Sequence, residues 1–328
     1  MKFVSYLAEF DERLGLLHDQ TVVDVALAHE LLKHEVDFSL GYLPADIIEF
    51  LDMGPAAMAD AAKIEAAVKS GWDEVCCMPL SETELLSPVP RPTSMRDGYA
   101  FRQHVEAARR NRGVEMIPEF DEIPIFYFTN HNAVTGPGEV DVQDMHLNQL
   151  DFELECAIVI GKEGTNIKAS EADEYIFGYM VMNDWSARAL QMHEMKLNLG
   201  PAKGKDFATS LGPWIATRED LAAKREATPQ GEKYDLTMLC RVNGQEVSRG
   251  NVKDMSWTFA QIIERASYGV TLYPGDVIGS GTCGTGCLLE LNGSKVFNPP
   301  MWLKDGDVVE CEVEGLGVLH NTVRRVGP

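Results

Sequence analysis

Two glutamates one residue apart, Glu153 and Glu155, lie in the run Asp151-Phe-Glu-Leu-Glu-Cys-Ala-Ile-Val-Ile160, and Asp184 follows a second apolar run, Tyr175–Met182. In an extended strand alternate side chains share a face, so the two glutamates point the same way, about 6 to 7 Å apart, while Phe152, Leu154, Cys156 and Ile158 point into a core. Like charges held that close repel unless a cation lies between them. A third carboxylate from a neighbouring strand completes an all-oxygen set, suited to a hard divalent ion such as Mg²⁺, Mn²⁺ or Ca²⁺ rather than to zinc. A bare E-x-E is more often the solvated face of an edge strand, and it is the sequence after Asp184 that shifts the balance.

That sequence, Asn183-Asp184-Trp-Ser-Ala-Arg188-Ala-Leu-Gln191-Met-His-Glu-Met195, opens with a helix-capping residue type and continues with helix formers. In a helix, positions 184, 188, 191 and 195 share a face. A carboxylate, a guanidinium and a carboxamide then converge at one strand-to-helix junction, with Lys205 close behind in Gly200-Pro-Ala-Lys-Gly-Lys205-Asp-Phe207. Arg188 has two readings, a substrate contact or a bridge from the helix to a carboxylate, and the bridge suits its place better.

The elements that must position these groups fall into two segments. Residues 1–87 read as a small mixed α/β unit, with strands near Lys2–Tyr6 and Thr21–Val25 and helices near Pro44–Leu51 and Pro55–Lys69. The proline-dense stretch Leu86–Pro92 can continue neither a helix nor a central strand and reads as the linker. Residues 88–328 are dominated by strands. Asn243-Gly244 marks a hairpin and Asp305-Gly306 a turn into Val308–Val313. Gly250–Arg265 patterns as an amphipathic helix, Tyr273–Gly286 as a strand entering a glycine-rich loop, and charged Thr217–Tyr234 as an exposed excursion. The fold class is α+β, mainly β.

The chain has 328 residues, 45% of them hydrophobic, with a formal charge of −22. An acidic surface argues against nucleic acid and anionic membrane, both of which require cations to displace counterions. With no long apolar run and no signal-peptide core at the start, a cytoplasmic protein is expected. The seven cysteines, odd in number and without C-x-x-C, read as reduced thiols. Cys283 and Cys287 flank the glycine-rich turn with no paired histidine or second couplet to make a metal site.

The motifs E-L-E at 153–155, M-N-D-W-S-A-R at 182–188 with Gln191, L-G-P-x-x-G-K-x-F at 199–207, S-G-T at 280–282, L-E at 289–290 and D-G-Y-x-x-R-Q-H at 97–104 together resemble the fumarylacetoacetate hydrolase superfamily over residues 88–328. The resemblance implies a β-roll catalytic domain, paired as a homodimer, that holds a divalent metal, Mg²⁺ foremost, and acts on a small oxo acid. Carried over by position, Glu153, Glu155, Asp184 and Asp97 match metal ligands, with Thr209 nearby. His104 matches the base that activates water, and Glu290 the carboxylate that orients it. Gln191 and Lys205 match groups that receive a departing carbanion, and Tyr99 and Thr282 match substrate contacts.

The match departs from fumarylacetoacetase at the end of the substrate remote from the metal. Met195 stands where a substrate tyrosine is expected, and Asn130 replaces a second tyrosine, where it is a candidate contact to a different tail. Arg109, Arg110 and Arg112 lie near the position of a substrate arginine without aligning to it. The leading expectation is therefore a metal-dependent hydrolase that cleaves a carbon–carbon bond in a β-diketo acid, an acylpyruvate or an aromatic-catabolism intermediate. The alternatives are an isomerase, hydratase or oxo-acid decarboxylase of the same superfamily, and a non-catalytic metal and dicarboxylate binder.

Overall fold

The computed structural model describes residues 1–327. Its centre is an open, mainly antiparallel sheet of 12 strands. From one edge the order is Cys77–Pro79, Thr21–Asp24, Asp11–His18, Lys2–Ala8, Thr209–Thr217, Ile176–Asp184, Leu154–Ile160, Val277–Gly279, Met95–Gly98 and Phe126–Phe128, with Glu84–Leu85 and Val134–Thr135 alongside. A second sheet of five strands, Gln245–Asn251, Thr237–Val242, Val308–Val313, Gly317–Arg325 and Gly138–Val142, packs against it.

The strand Leu154–Ile160 is interior, paired on one side with Ile176–Asp184 and on the other with Val277–Gly279. Its alternation has a specific meaning. Phe152, Leu154, Cys156, Ile158 and Ile160 enter the core shared with the five-stranded sheet. Ala157 and Val159 enter a separate core built with the amino-terminal helices Val25–Leu32, Ile47–Asp52 and Pro55–Lys69. A strand buried on both faces is no solvated edge, so the glutamates that extend its second face sit in the interior.

Local chemistry explains most element ends. Asp24 and Asp46 accept hydrogen bonds from the first-turn N–H groups of their helices, and Pro55 starts the third helix at a position where no N–H is needed. Asn243 and Gly244 have φ of 52° and 76°, the paired positive values that a tight hairpin between twisted strands demands.

Two expectations are corrected. The helix foreseen over Gly250–Arg265 is only Phe259–Ala266, because Thr258 and Gln261 form a reciprocal cap there and Asn251 caps a separate short turn, Val252–Asp254. The segment Thr217–Tyr234 folds back as a hairpin in which Leu221, Gly231 and Tyr234 are buried, and Tyr234 packs on Tyr179 at 4.7 Å between ring centroids. The proline-rich stretch is packed in: Ser87, Pro88 and Val89 are buried, and the Ser5 hydroxyl donates to the Pro88 carbonyl at 3.0 Å. Around it the sheet runs unbroken, since Lys2–Ala8 pairs with Thr209–Thr217. Among the described residues no helix is long and apolar enough to cross a membrane, and all seven cysteines are free thiols.

Candidate metal and acid–base site

Four neighbouring strands bring the carboxylates together. Gly279 pairs with Asp97 on one side and Ala157 on the other, which sets Asp97 beside Glu155. Leu154 pairs with Asn183 and Glu155 with Met182, which sets Glu153 beside Asp184. Asp97, Glu153, Glu155 and Asp184 are all buried, and one oxygen from each lies within 4.8 Å of the others. Thr209 is the cross-strand neighbour of Asp184. Glycine at 279 is required here: a Cβ would stand 2.7 Å from Oδ1 of Asp97 and 2.9 Å from Oε2 of Glu155. Gly281, at φ +78°, donates its N–H to both of those oxygens, at 3.1 and 3.0 Å.

The remaining oxygens divide unequally. Glu153 accepts from Arg188 through one oxygen, at 2.8 Å, and from Lys205 through the other. Asp184 receives the Lys205 ammonium and the Tyr127 hydroxyl on Oδ2, each at 2.6 Å. Oε1 of Glu155 and Oδ1 of Asp184 are buried without any hydrogen-bond partner. Burial and the charge of Asp184 push Asp97 above the ordinary carboxylate range, and burial with the adjoining Asp97 pushes Glu155 well above it. Burial acts on Glu153 too, but Lys205 and Arg188 overcome it and hold that carboxyl low. Two buried carboxyl oxygens without a partner and four convergent carboxyl groups fit a hard divalent cation, and the oxygen-only donor set disfavours zinc.

The acid–base half adjoins this cluster through Glu153. His104 opens the helix Arg102–Asn111, and its Nδ1 lies 2.6 Å from Oε2 of Glu290, in the helix Leu288–Gly293. With the carboxylate accepting, Nδ1 carries the hydrogen and Nε2 is the basic nitrogen. The other oxygen of Glu290 accepts from Thr285 N at 3.0 Å. One ring nitrogen of His104, a Glu153 oxygen and the Cys287 sulfur lie within 4.8 Å of one another. Cys287 is a cap rather than a metal ligand, since its sulfur accepts from Glu290 N and burial pushes the thiol well up. The Tyr99 ring meets that of His104 edge-on, with centroids 6.0 Å apart, and Thr282 is buried in the loop just beyond Gly281.

Lys205 reaches the carboxylates because Gly204 packs on the Gln191 backbone, where a Cβ would meet atoms at 2.6 Å. Burial disfavours its charge, but Asp184 and Glu153 more than compensate and keep it an ammonium. The helix after Asp184 starts at Arg188, not at Asn183, because Ser186 and Ala187 first pair as a short strand with Leu150 and Asp151. Arg188 bridges protein groups, donating to Asp151 at 2.7 Å, to Glu153, and to the side-chain carboxamide oxygen of Gln191 at 2.9 Å. The Asn130 amide nitrogen donates to the Asp206 carbonyl at 2.9 Å and its oxygen accepts from Asn132 N at 3.1 Å, so the side chain braces the Lys205 turn.

Two residues of the site escaped the sequence reading. Tyr127 lies in the short strand Phe126–Phe128, which pairs it with Asp97, and one polar group between two phenylalanines was its only signal. Asp151 was visible two residues before Glu153, but nothing in the spacing told its role from that of the metal-type carboxylates. A cavity of about 800 Å³ lies elsewhere, lined by Phe50, Met58, Tyr175, Phe177 and Tyr273. It contains none of these groups.

The architecture joins a buried cluster of four carboxylates to an adjacent histidine–glutamate pair. The chain belongs to the fumarylacetoacetate hydrolase family: residues 93–324 match the model of the fumarylacetoacetate (FAA) hydrolase C-terminal region. It is 30% identical to the oxaloacetate tautomerase YisK of Bacillus subtilis, over 94% of this chain and 94% of that one. It is 33% identical to the human mitochondrial oxaloacetate tautomerase FAHD2A, over 86% of this chain and 80% of the relative. The fold resembles that of maleylpyruvate hydrolase from Sphingobium sp. SYK-6 in complex with manganese(II) and pyruvate, with TM-score 0.68, 21% identity and complete coverage of both chains. These relatives overturn the expectation of carbon–carbon bond hydrolysis. A tautomerase moves a proton and breaks no carbon–carbon bond, and the isomerase alternative fits better.

Proposed function

We propose that this protein catalyses the keto–enol tautomerisation of a small dicarboxylic 2-oxo acid of the oxaloacetate class, at a site formed by Asp97, Glu153, Glu155 and Asp184 that holds a divalent ion, Mg²⁺ foremost. The observation that carries the reading is the similarity to two oxaloacetate tautomerases over most of the chain. The geometry supports it, because a proton-transfer pair stands against a carboxylate that also binds a buried ammonium.

Tautomerisation removes a proton from the carbon between the carbonyl and the far carboxylate and delivers one to the carbonyl oxygen. Nε2 of His104 takes the carbon-bound proton while Glu290 holds Nδ1–H and stabilises the imidazolium. Lys205 fixes positive charge beside the oxygen that gains negative charge. The imidazolium then returns its proton to that oxygen, directly or through one water. A bound divalent ion supplies Lewis-acid polarisation of the substrate oxygens. The same pair that reads as a water activator in a hydrolase here needs no nucleophilic water and no leaving group.

The test follows decay of the oxaloacetate enol absorbance with purified, Mg²⁺-loaded protein, while pyruvate and carbon dioxide are assayed in parallel. Chelator-sensitive acceleration without either product supports the reading. Stoichiometric pyruvate, or no acceleration, overturns it. We extend the reading to a cytoplasmic homodimer, supported by the free cysteines and the family resemblance, and checked by fractionation and light scattering.

A further inference from the structure

We infer that Asp151 is a positioning residue that couples the carboxylate half of the site to its acid–base half; the inference rests on the proton-transfer role proposed for His104 and Glu290. Asp151 is fully buried, and its hydrogen bonds run in two directions. Oδ1 accepts from Leu288 N at 2.6 Å and Oδ2 from Leu289 N at 2.9 Å, the two free N–H groups at the start of the helix that carries Glu290. Oδ2 also accepts from Nε of Arg188 at 2.7 Å. The far side of that guanidinium grips Glu153 and Gln191. One carboxylate thus sets the height and rotation of the helix that aims Glu290 at His104, and fixes the cation that orients Glu153.

Such an arrangement has a chemical reason. Proton transfer tolerates little error in the placement of the imidazole, and Glu290 sits on a helix of only six residues, too short to hold its own position. Cys287 satisfies the N–H of Glu290 itself, and Asp151 satisfies the two before it. An asparagine there keeps the size but loses one acceptor, and its amide N–H groups meet the donors of Arg188 or of the helix.

The experiment uses Asp151→Asn, Glu290→Gln and the double variant, measuring kcat and KM for oxaloacetate tautomerisation and Mn²⁺ affinity. Asp151→Asn is expected to lower kcat roughly 10- to 100-fold with little change in KM, and to slow the Glu290→Gln background far less, because both act through His104. A multiplicative fall in the double variant overturns the inference. A second readout needs no activity: the low-field Nδ1–H proton resonance of His104, present in the parent, should shift or broaden in Asp151→Asn. An unmoved resonance overturns the coupling even if the parent proves inactive on oxaloacetate, a result that would sink the tautomerase reading separately. Should Asp151→Asn fail to fold, Leu288→Pro removes one of the two N–H donors at a helix start, where the extended Cys287 already suits a following proline. It is read by the same resonance and the same kcat.

Discussion

The Tyr127 hydroxyl and the Asp184 carboxylate are joined at 2.6 Å, on the oxygen that also receives the Lys205 ammonium, and the other oxygen of Asp184 is buried without a partner. Burial and the Asp184 charge drive the Tyr127 phenol well above its usual range, and it stays a donor. Tyr127→Phe should weaken Mn²⁺ binding roughly 10-fold, in line with losses of groups that orient a metal ligand. Titration calorimetry measures it; unchanged affinity would remove Tyr127 from the site.

Lys205 neutralises two buried carboxylates. Lys205→Met should slow turnover roughly 100- to 1,000-fold, the equivalent of about 2.7–4 kcal/mol of lost electrostatic stabilisation. It should also lower the metal-free melting temperature, since breaking a buried pair costs about 3–5 kcal/mol. Added Mg²⁺ should then raise that temperature more than in the parent, because the ion replaces a missing charge. A melting curve insensitive to Mg²⁺ in both proteins contradicts this.

Burial and the adjoining Asp97 hold Glu155 well above the ordinary carboxylate range, and a bound cation would favour its ionised form. Glu155→Gln should abolish measurable Mn²⁺ binding while leaving the metal-free melting temperature unchanged or higher. Gly279→Ala should give the same loss of binding by intruding between Asp97 and Glu155. Retained binding in both variants would remove the proposed site.

Acid stability should depend on Asp24. Burial raises its pKa, but hydrogen bonds from Arg13, from Tyr6 at 2.6 Å and from Leu27 N at 2.8 Å outweigh burial and hold the carboxyl below its usual range. A depressed group stabilises the fold above its unfolded value, near pH 4, and that contribution disappears as pH falls through the folded value. Asp24→Asn should therefore lower stability at neutral pH by about 1–3 kcal/mol and flatten the acid limb of the stability profile. Urea melts from pH 2.5 to 7 measure both, and an unaltered acid limb would exclude Asp24 as its source.

Much of this was legible where a residue's neighbours in sequence determine its surroundings. The alternation from Phe152 to Ile160 disclosed a strand, Asn243-Gly244 a hairpin, and the spaced carboxylates a convergent cluster. Legibility failed where partners come from afar. The start of the helix at Arg188 depends on a two-residue pairing with Leu150 and Asp151, and the place of Tyr127 depends on a strand at the sheet edge. The reaction itself was misread for a related reason. A histidine–glutamate pair, a lysine and a set of carboxylates serve water activation and proton shuttling equally well, so those motifs identify the machinery without selecting the chemistry.

The strand Leu154–Ile160 is a party wall between two separately packed interiors, and Glu155 is set in that wall. Interiors packed to crystal-like density transmit a change of a single methylene. Substitutions among the amino-terminal helices therefore press on the carboxylate cluster from behind. That layer gives natural variation a means of shifting the spacing of the four carboxylates while those residues stay as they are.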